Sequence, residues 1–179
     1  MAVRARILAG ALGAALLFSV GAPSAGAAFV QTIPSTVTWG VAYGPKCLEI
    51  ADWRTDNGAP ARQWGCSGGT SQQWNAQGVR TSGGTGSLAN AYSGKCLEIA
   101  DWRTDNGAPV RQWDCTGGAN QSWTWTWVPA VGFTLVNAYS GKCLEIADWR
   151  TDDGAPARQW DCTGGDNQHW FPFAAGTVR

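Results

Sequence analysis

The sequence predicts an all-β protein assembled from three copies of one small unit. Three observations carry that expectation. A stretch of 28 residues beginning at Cys47 recurs at Cys96 and again at Cys143. The 179 residues include 24 Gly and 12 Trp against one Met and one His, a composition that favours short strands and tight turns over helices. Six Cys fall into three pairs, each separated by the same 19 positions. Self-similarity at a period of a few tens of residues marks repeated supersecondary units that bury one continuous core.

The first copy reads CLEIADWRTDNGAPARQWGCSGGTSQQW, the second CLEIADWRTDNGAPVRQWDCTGGANQSW and the third CLEIADWRTDDGAPARQWDCTGGDNQHW. The second and third differ at four of the 28 positions, and the first differs from each at six. Tyr43, Tyr92 and Tyr139 stand four residues before each leading Cys, and Lys46, Lys95 and Lys142 directly before it. In the third unit, residues 134–139 alternate as a strand, 140–142 turn, and 143–147 form a second strand. A polar loop with Asp-Gly and Pro spans 148–156; a third strand runs over 157–162, and a Gly-Gly turn leads to a fourth entered at Trp170. Three such units make about twelve short strands. Propellers need at least four blades, so three copies call for another closed arrangement. A unit of about 45 residues buries too little surface to stand alone, so the units share one core.

Arg4 and Arg6 precede an apolar run of 14 residues, 7–20, and a small-residue stretch at 25–28. The run is shorter than the roughly 20 residues of a membrane-spanning helix. It reads as a secretory signal peptide rather than a membrane anchor. The expected organisation is a signal peptide at 1–28 and one secreted, soluble extracellular domain at 29–179, with repeats at about 37–83, 84–132 and 133–177. Thirteen basic residues balance thirteen acidic ones in the full chain, which argues against nucleic-acid binding. Hydrophobic residues at 44% argue against disorder.

Six Cys allow fifteen pairings. Threefold repetition cuts these to a few, and the identical spacing in a secreted chain favours bonds inside each unit, Cys47–Cys66, Cys96–Cys115 and Cys143–Cys162, each worth on the order of 3 kcal/mol in the chain-entropy model. Zinc knuckles use closer pairs, so no metal is expected. Strand alternation then places chemistry. Cys96 and Glu98 share one face, Leu97 and Ile99 the other; Arg111, Trp113 and Cys115 share a face of the next strand. The disulfide gathers Glu98, Arg111 and Trp113 around one spot, and Asn120 and Gln121 follow after a Gly-Gly turn. A carboxylate, an aromatic plane and amides suit a sugar, which offers hydroxyls and an apolar C–H face. The competing reading makes Glu98–Arg111 a surface ion pair worth about 0–1 kcal/mol and Trp113 core filler. Trp53, Trp102 and Trp149 lie in the polar loop, as a lid or as a second wall.

The pattern Cys-Leu-acid, Gln-Trp-x-Cys, Gln-x-Trp, the last at Gln72-Gln73-Trp74, Gln121-Ser122-Trp123 and Gln168-His169-Trp170, resembles the ricin-B-type (R-type) lectins. The resemblance implies a β-trefoil, with three four-stranded repeats about a pseudo-threefold axis, and up to one shallow sugar site per repeat. It places the carboxylate on Glu49, Glu98 and Glu145, the stacking aromatic on Trp64, Trp113 and Trp160, and the amides on Gln72, Asn120-Gln121 and Asn167-Gln168. It makes Trp74, Trp123 and Trp170 core residues. Glu stands where the family usually has Asp, which removes the basis for a galactose-type preference. Ser71 replaces the Asn of the other repeats, so the first site is expected to be weakest. The implied protein is a monomeric, multivalent carbohydrate binder without cofactor or catalysis, with no nucleic-acid partner and no membrane insertion.

Two rivals are weaker. A glycosidase needs two carboxylates about 5–9.5 Å apart in different environments, whereas every acid here recurs in similar surroundings. A protein-binding or protease-inhibitor trefoil needs one unrepeated loop. The insertion at 75–88 reads as a linker, and that at 124–135, with Trp125, Trp127 and Phe133 at strand spacing, as core.

Overall fold

A computed structural model describes residues 35–76, 83–176 and 178. The expected signal peptide and part of the expected linker, 77–82, lie outside them. The first repeat contains β1 (Thr36–Val41), β2 (Lys46–Ile50), β3 (Ala61–Gly65) and β4 (Gln73–Ala76). The second contains β5 (Gly84–Gly86), β6 (Leu88–Asn90), β7 (Cys96–Ile99), β8 (Val110–Trp113) and β9 (Trp123–Val128). The third contains β10 (Gly132–Asn137), β11 (Cys143–Ile146), β12 (Ala157–Trp160) and β13 (Trp170–Ala174). β5 and β6 are one strand of the repeat, interrupted at Ser87, so four strands per repeat hold throughout.

The first strand of each repeat pairs both with the last strand of its own repeat and with that of the preceding one. β1 pairs β4 and β13; β6 and β5 pair β4 and β9; β10 pairs β9 and β13. The pairings close a six-stranded antiparallel barrel with no free edge. The hairpins β2–β3, β7–β8 and β11–β12 meet one another at one end, through isolated bridges at Pro60–Arg111, Pro109–Arg158 and Arg62–Pro156. The fold is a β-trefoil.

Alternation along the strands explains the core. Leu97 and Ile99 turn inward and are fully buried, as are Leu48, Leu144, Trp74, Trp123 and Trp170. The Trp123 indole N–H donates to the Leu97 carbonyl at 3.0 Å, and the equivalents in the other repeats reach Leu48 and Leu144, so each buried ring keeps its polar atom satisfied. Two expectations need correction. Trp127 shares the inward parity of Trp123 and Trp125 but is 43% exposed, because among the described residues β5 pairs with β9 only as far as Trp125; its ring packs edge-on against Phe133. The 75–88 insertion is not all linker, since Asn75 and Ala76 finish β4 and Leu88 is wholly buried in β6.

The repeats are also laced in a ring. The buried Gln112 side-chain amide donates to the carbonyls of Arg54 and Asp56 in the preceding repeat, each at 3.0 Å, and the Gln112 backbone carbonyl accepts from Gly58 N–H. Gln159 does the same to Arg103 and Asp105, and Gln63 to Arg150 and Asp152, which closes the circle. All three expected disulfides are present, with Cα–Cα distances of 5.0–5.1 Å.

Threefold identity breaks where the ring closes, and the break is compensated. Lys95 pairs with Asp114, which holds Asn57 of the neighbouring loop; Lys142, Asp161 and Asn106 repeat the arrangement. The first repeat has Gly65 in place of the Asp, and Lys46 takes its acid from across the junction, from Asp153, which stands where the other loops carry Asn. Asp153→Asn is expected to cost up to about 1 kcal/mol, the worth of a partly exposed pair. A Cβ at Gly65 has room, its nearest neighbour being Asp153 Oδ1 at 3.9 Å. Gly65→Asp should therefore restore the loss, and denaturant unfolding of the four members of this cycle measures the coupling. Additive effects would mean that the two changes are unrelated.

Candidate functional site

The antiparallel register sets Glu98 opposite Arg111 and Cys96 opposite Trp113, as strand alternation requires. Glu98 Oε1 accepts from Arg111 Nε at 2.9 Å. Its Oε2 accepts from Gln121 Nε2 at 3.0 Å and Asn120 Nδ2 at 3.2 Å. The carboxylate side chain is only 5% exposed, so this is a buried, saturated charge and not the surface ion pair of the competing reading. Arg111 continues outward, donating through Nη2 to Asp101 at 2.9 Å, with its guanidinium 4.5 Å from the centre of the Trp113 ring. The Gln121 carbonyl oxygen accepts from Thr116 N–H at 2.8 Å while its amide also donates to the Asp114 carbonyl, which fixes the turn between them.

The third repeat reproduces this: Glu145 accepts from Arg158, Gln168 and Asn167 at 2.8, 2.9 and 3.2 Å, Arg158 reaches Asp148 at 2.9 Å, and Trp160 lies beneath the guanidinium. In the first repeat Glu49 keeps Arg62 and Gln72, and Arg62 lies over Trp64. Ser71 makes no bond to Glu49, so that carboxylate has one amide donor fewer. Asn120 and Asn167 are nearly buried, and their Oδ1 atoms make no hydrogen bond.

Sequence reasoning left Asp101 unassigned and the role of Trp102 open. Both adopt the left-handed conformation, each with φ of 54°, and so do Asp52–Trp53 and Asp148–Trp149. That costs a non-glycine residue roughly 1–2 kcal/mol and is kept only where the surroundings impose it. The turn lifts the Asp101 side chain to 70% exposure and Trp102 to 50%. The second Gly of the Gly-Gly turn makes room for the ring: a Cβ on Gly118 would stand 3.0 Å from Trp102, and one on Gly165 2.6 Å from Trp149. The signal available in the sequence was an Asp-Trp pair repeated three times in a polar loop.

Each of these rings meets the Tyr of the following repeat. Trp53–Tyr92 and Trp102–Tyr139 sit edge-on at 5.1 and 5.0 Å. The third pair, Trp149–Tyr43, opens to 6.1 Å and tilts to 46°. The cause lies in the first repeat. Ser93 and Ser140 donate to the Gln112 and Gln159 carbonyl oxygens at 2.6 Å, whereas Gly44 occupies the equivalent position and has no hydroxyl. The Tyr43 hydroxyl comes in there instead, 3.4 Å from the Gln63 side-chain oxygen, with its proton donated to the Arg150 carbonyl at 2.5 Å. Burial, then the nearby negative charge of Asp152, push its pKa up to about 12. Trp149 is accordingly 56% exposed. An open cavity of about 220 Å³ lies beside it, lined among others by Glu145, Asp148, Trp149, Arg158, Trp160 and Asn167.

Residues 40–170 match the family model of the ricin-type β-trefoil lectin domain. The chain belongs to that family. This lectin-family chain is similar to a designed threefold-symmetric protein, ThreeFoil, at 31% identity and a TM-score of 0.74, over 79% of this chain and 99% of that one. It is similar to an exo-β-1,3-galactanase of Clostridium thermocellum, at 30% identity and a TM-score of 0.71, covering 78% of this chain and only 30% of the galactanase. It shares its fold with the C-terminal half of an earthworm R-type lectin solved in complex with GalNAc, at 17% identity and a TM-score of 0.57, over 78% of this chain and 98% of that one. No curated protein matches the chain in sequence.

Removing the buried charge tests its structural role. Glu98→Gln leaves Arg111 without its inner partner but still on Asp101, for an expected loss of about 2 kcal/mol in urea unfolding, the worth of a hydrogen bond to a charged group. Glu49→Gln should cost less, because Ser71 has already removed one donor. An equal, negligible effect of both would contradict the buried-charge account.

Proposed function

We propose that this ricin-type lectin domain is the mature part of a secreted, multivalent carbohydrate binder that holds polysaccharide or glycan chains through shallow sites in its repeats. The observation that carries this reading is the open cavity of the third repeat, where an aromatic plane, acids, a guanidinium and an amide converge within this fold. On this reading the sites comprise Glu98, Trp113, Asn120 and Gln121 in the second repeat, and Glu145, Trp160, Asn167 and Gln168 in the third. Glu49, Trp64 and Gln72 form the weakest site. The Glu and Gln hold the site's shape, and the Trp and Asn bear on the sugar. The ligand class is supported by solved neighbours, among them a Polyporus squamosus lectin bound to a sialylated epitope and the earthworm lectin with GalNAc.

A binder fits better than an enzyme, because the acids recur in equivalent surroundings while catalysis by paired carboxylates needs different ones. Three disulfides accord with an extracellular protein, and residues 1–28 are read as the signal peptide that directs it there.

A single shallow site is expected to bind free sugar only at about the millimolar level, near −4 kcal/mol. Several sites on one rigid monomer raise retention on a polymer by about 10² to 10⁴ without new contacts. The mature chain should therefore be weakly bound by free oligosaccharide yet strongly retained on insoluble polysaccharide of the same sugar. Moderate salt should leave that retention in place, since the mature chain, without Arg4 and Arg6, carries 11 basic and 13 acidic residues, a net charge near −2. Trp113→Ala and Trp160→Ala should each weaken retention more than Trp64→Ala. Elution by salt, or retention that free sugar never displaces, would overturn the reading.

A further inference from the structure

We propose that the two consecutive left-handed residues of each repeat, Asp52–Trp53, Asp101–Trp102 and Asp148–Trp149, are the ligand-facing groups of the sites, that they take a vicinal diol of a neutral sugar, and that the third repeat is the most open. This rests on the lectin reading above and names the chemistry of the same site.

The buried Glu cannot serve a ligand as it serves the fold. Glu145 already accepts three hydrogen bonds, and its side chain is 4% exposed. The carboxylate that reaches solvent is Asp148, 69% exposed, with Oδ1 on Arg158 and no bond at Oδ2. Arg158 spends Nε on Glu145 and Nη2 on Asp148, and Nη1 makes no hydrogen bond. Together they present an acceptor and a donor side by side, joined by a 2.9 Å contact. Adjacent hydroxyls of a sugar ring match that pair: one donates to Asp148 Oδ2 and its neighbour accepts from Arg158 Nη1. Both are charge-assisted bonds.

Asn167 adds an independent sign of a missing partner. It lines the cavity, is 3% exposed, and its Oδ1 has no donor, in a class of atom that is nearly always satisfied. The Trp149 ring lines the same cavity, beside Asn167, as an exposed plane for the sugar's C–H face. Paired left-handed residues without glycine, recurring in all three repeats, are the strain expected where a backbone aims functional groups.

Charge fixes the sugar class. Glu145 and Asp148 against Arg158 leave the cavity one negative charge in excess, and the exposed member is the acid. A uronic or sialic carboxylate would face Asp148 and be repelled. The third repeat leads because the move of Tyr43 toward Gln63 leaves Trp149 without its edge-on neighbour.

The test uses the mature chain on an array that pairs neutral sugars with their uronic counterparts, and on insoluble polysaccharide. Wild type should bind neutral sugars in preference to uronates. The triple variant Asp52→Asn, Asp101→Asn, Asp148→Asn should bind at least about tenfold more weakly, since each site loses a charge-assisted bond. Its thermal unfolding should stay near wild type, because the lost pairs are exposed. Trp149→Leu should reduce binding more than Trp53→Leu. A folded triple variant that binds as well as wild type overturns this proposal and leaves the lectin reading standing. Wild type that binds no sugar at all overturns both. Should the triple variant fail to fold, the comparison in wild type decides alone: preference for the uronate contradicts the assignment, and preference for the neutral sugar supports it.

Discussion

A carboxylate buried in each repeat, at Glu49, Glu98 and Glu145, constrains most of what surrounds it. Removing a charge from water is expensive unless it is paired and its lone pairs are filled. Here the filling is done by one guanidinium from the facing strand and by amides from the following turn. Each donor is then fixed in turn. The Arg is held above a Trp ring and reaches an exposed Asp, and the Gln locks the Gly-Gly turn through its other atoms. The disulfide lies two residues away on the same face, where it ties the hairpin to that turn. The groups that keep the charge tolerable are thus the floor of the candidate site, and fold and site stand on the same bonds.

The departures from threefold symmetry that alter these polar contacts gather at one junction. Gly44, Gly65 and Ser71 belong to the first repeat, and Asp153 to the loop of the third that meets it. One of these changes is repaired across the junction, where Asp153 supplies the acid that Gly65 lacks; the other is met within the first repeat, where Tyr43 brings a hydroxyl to 3.4 Å from the Gln63 oxygen that Gly44 leaves without its Ser partner. The repair at Tyr43 shifts a ring away from Trp149, so a substitution made good for stability alters the neighbouring site. The change at Ser71 is left unrepaired, and the first carboxylate simply has fewer donors.

Much of this was legible in the sequence. Repetition gave the unit, equal spacing paired the cysteines, and strand alternation placed Glu98, Arg111 and Trp113 together, because each is a local or periodic property. The Gln-x-Trp resemblance supplied the closed trefoil that periodicity alone left open. What stayed hidden depends on tertiary position. Whether Glu98–Arg111 is exposed or buried is set by the turn that folds over it. Trp127 has the parity of a core residue but, among the described residues, lies beyond the part of β9 that β5 pairs with, and Leu88 is one inward residue within a Gly- and Ser-rich stretch. Asp101 and Trp102 carry no glycine or asparagine to signal a left-handed backbone, so the residues lifted into solvent were not distinguishable from an ordinary loop. The Lys46–Asp153 pair requires knowing that the third repeat closes on the first.

A crystal structure of the mature chain with a bound neutral oligosaccharide tests the central claim most directly. The account predicts that the Glu145 carboxylate keeps Arg158, Asn167 and Gln168 as its partners in the complex, while the sugar hydroxyls lie on Asp148 and Arg158 beside Trp149. A sugar bound directly to the Glu145 carboxylate, with Arg158 displaced from it, would contradict the account.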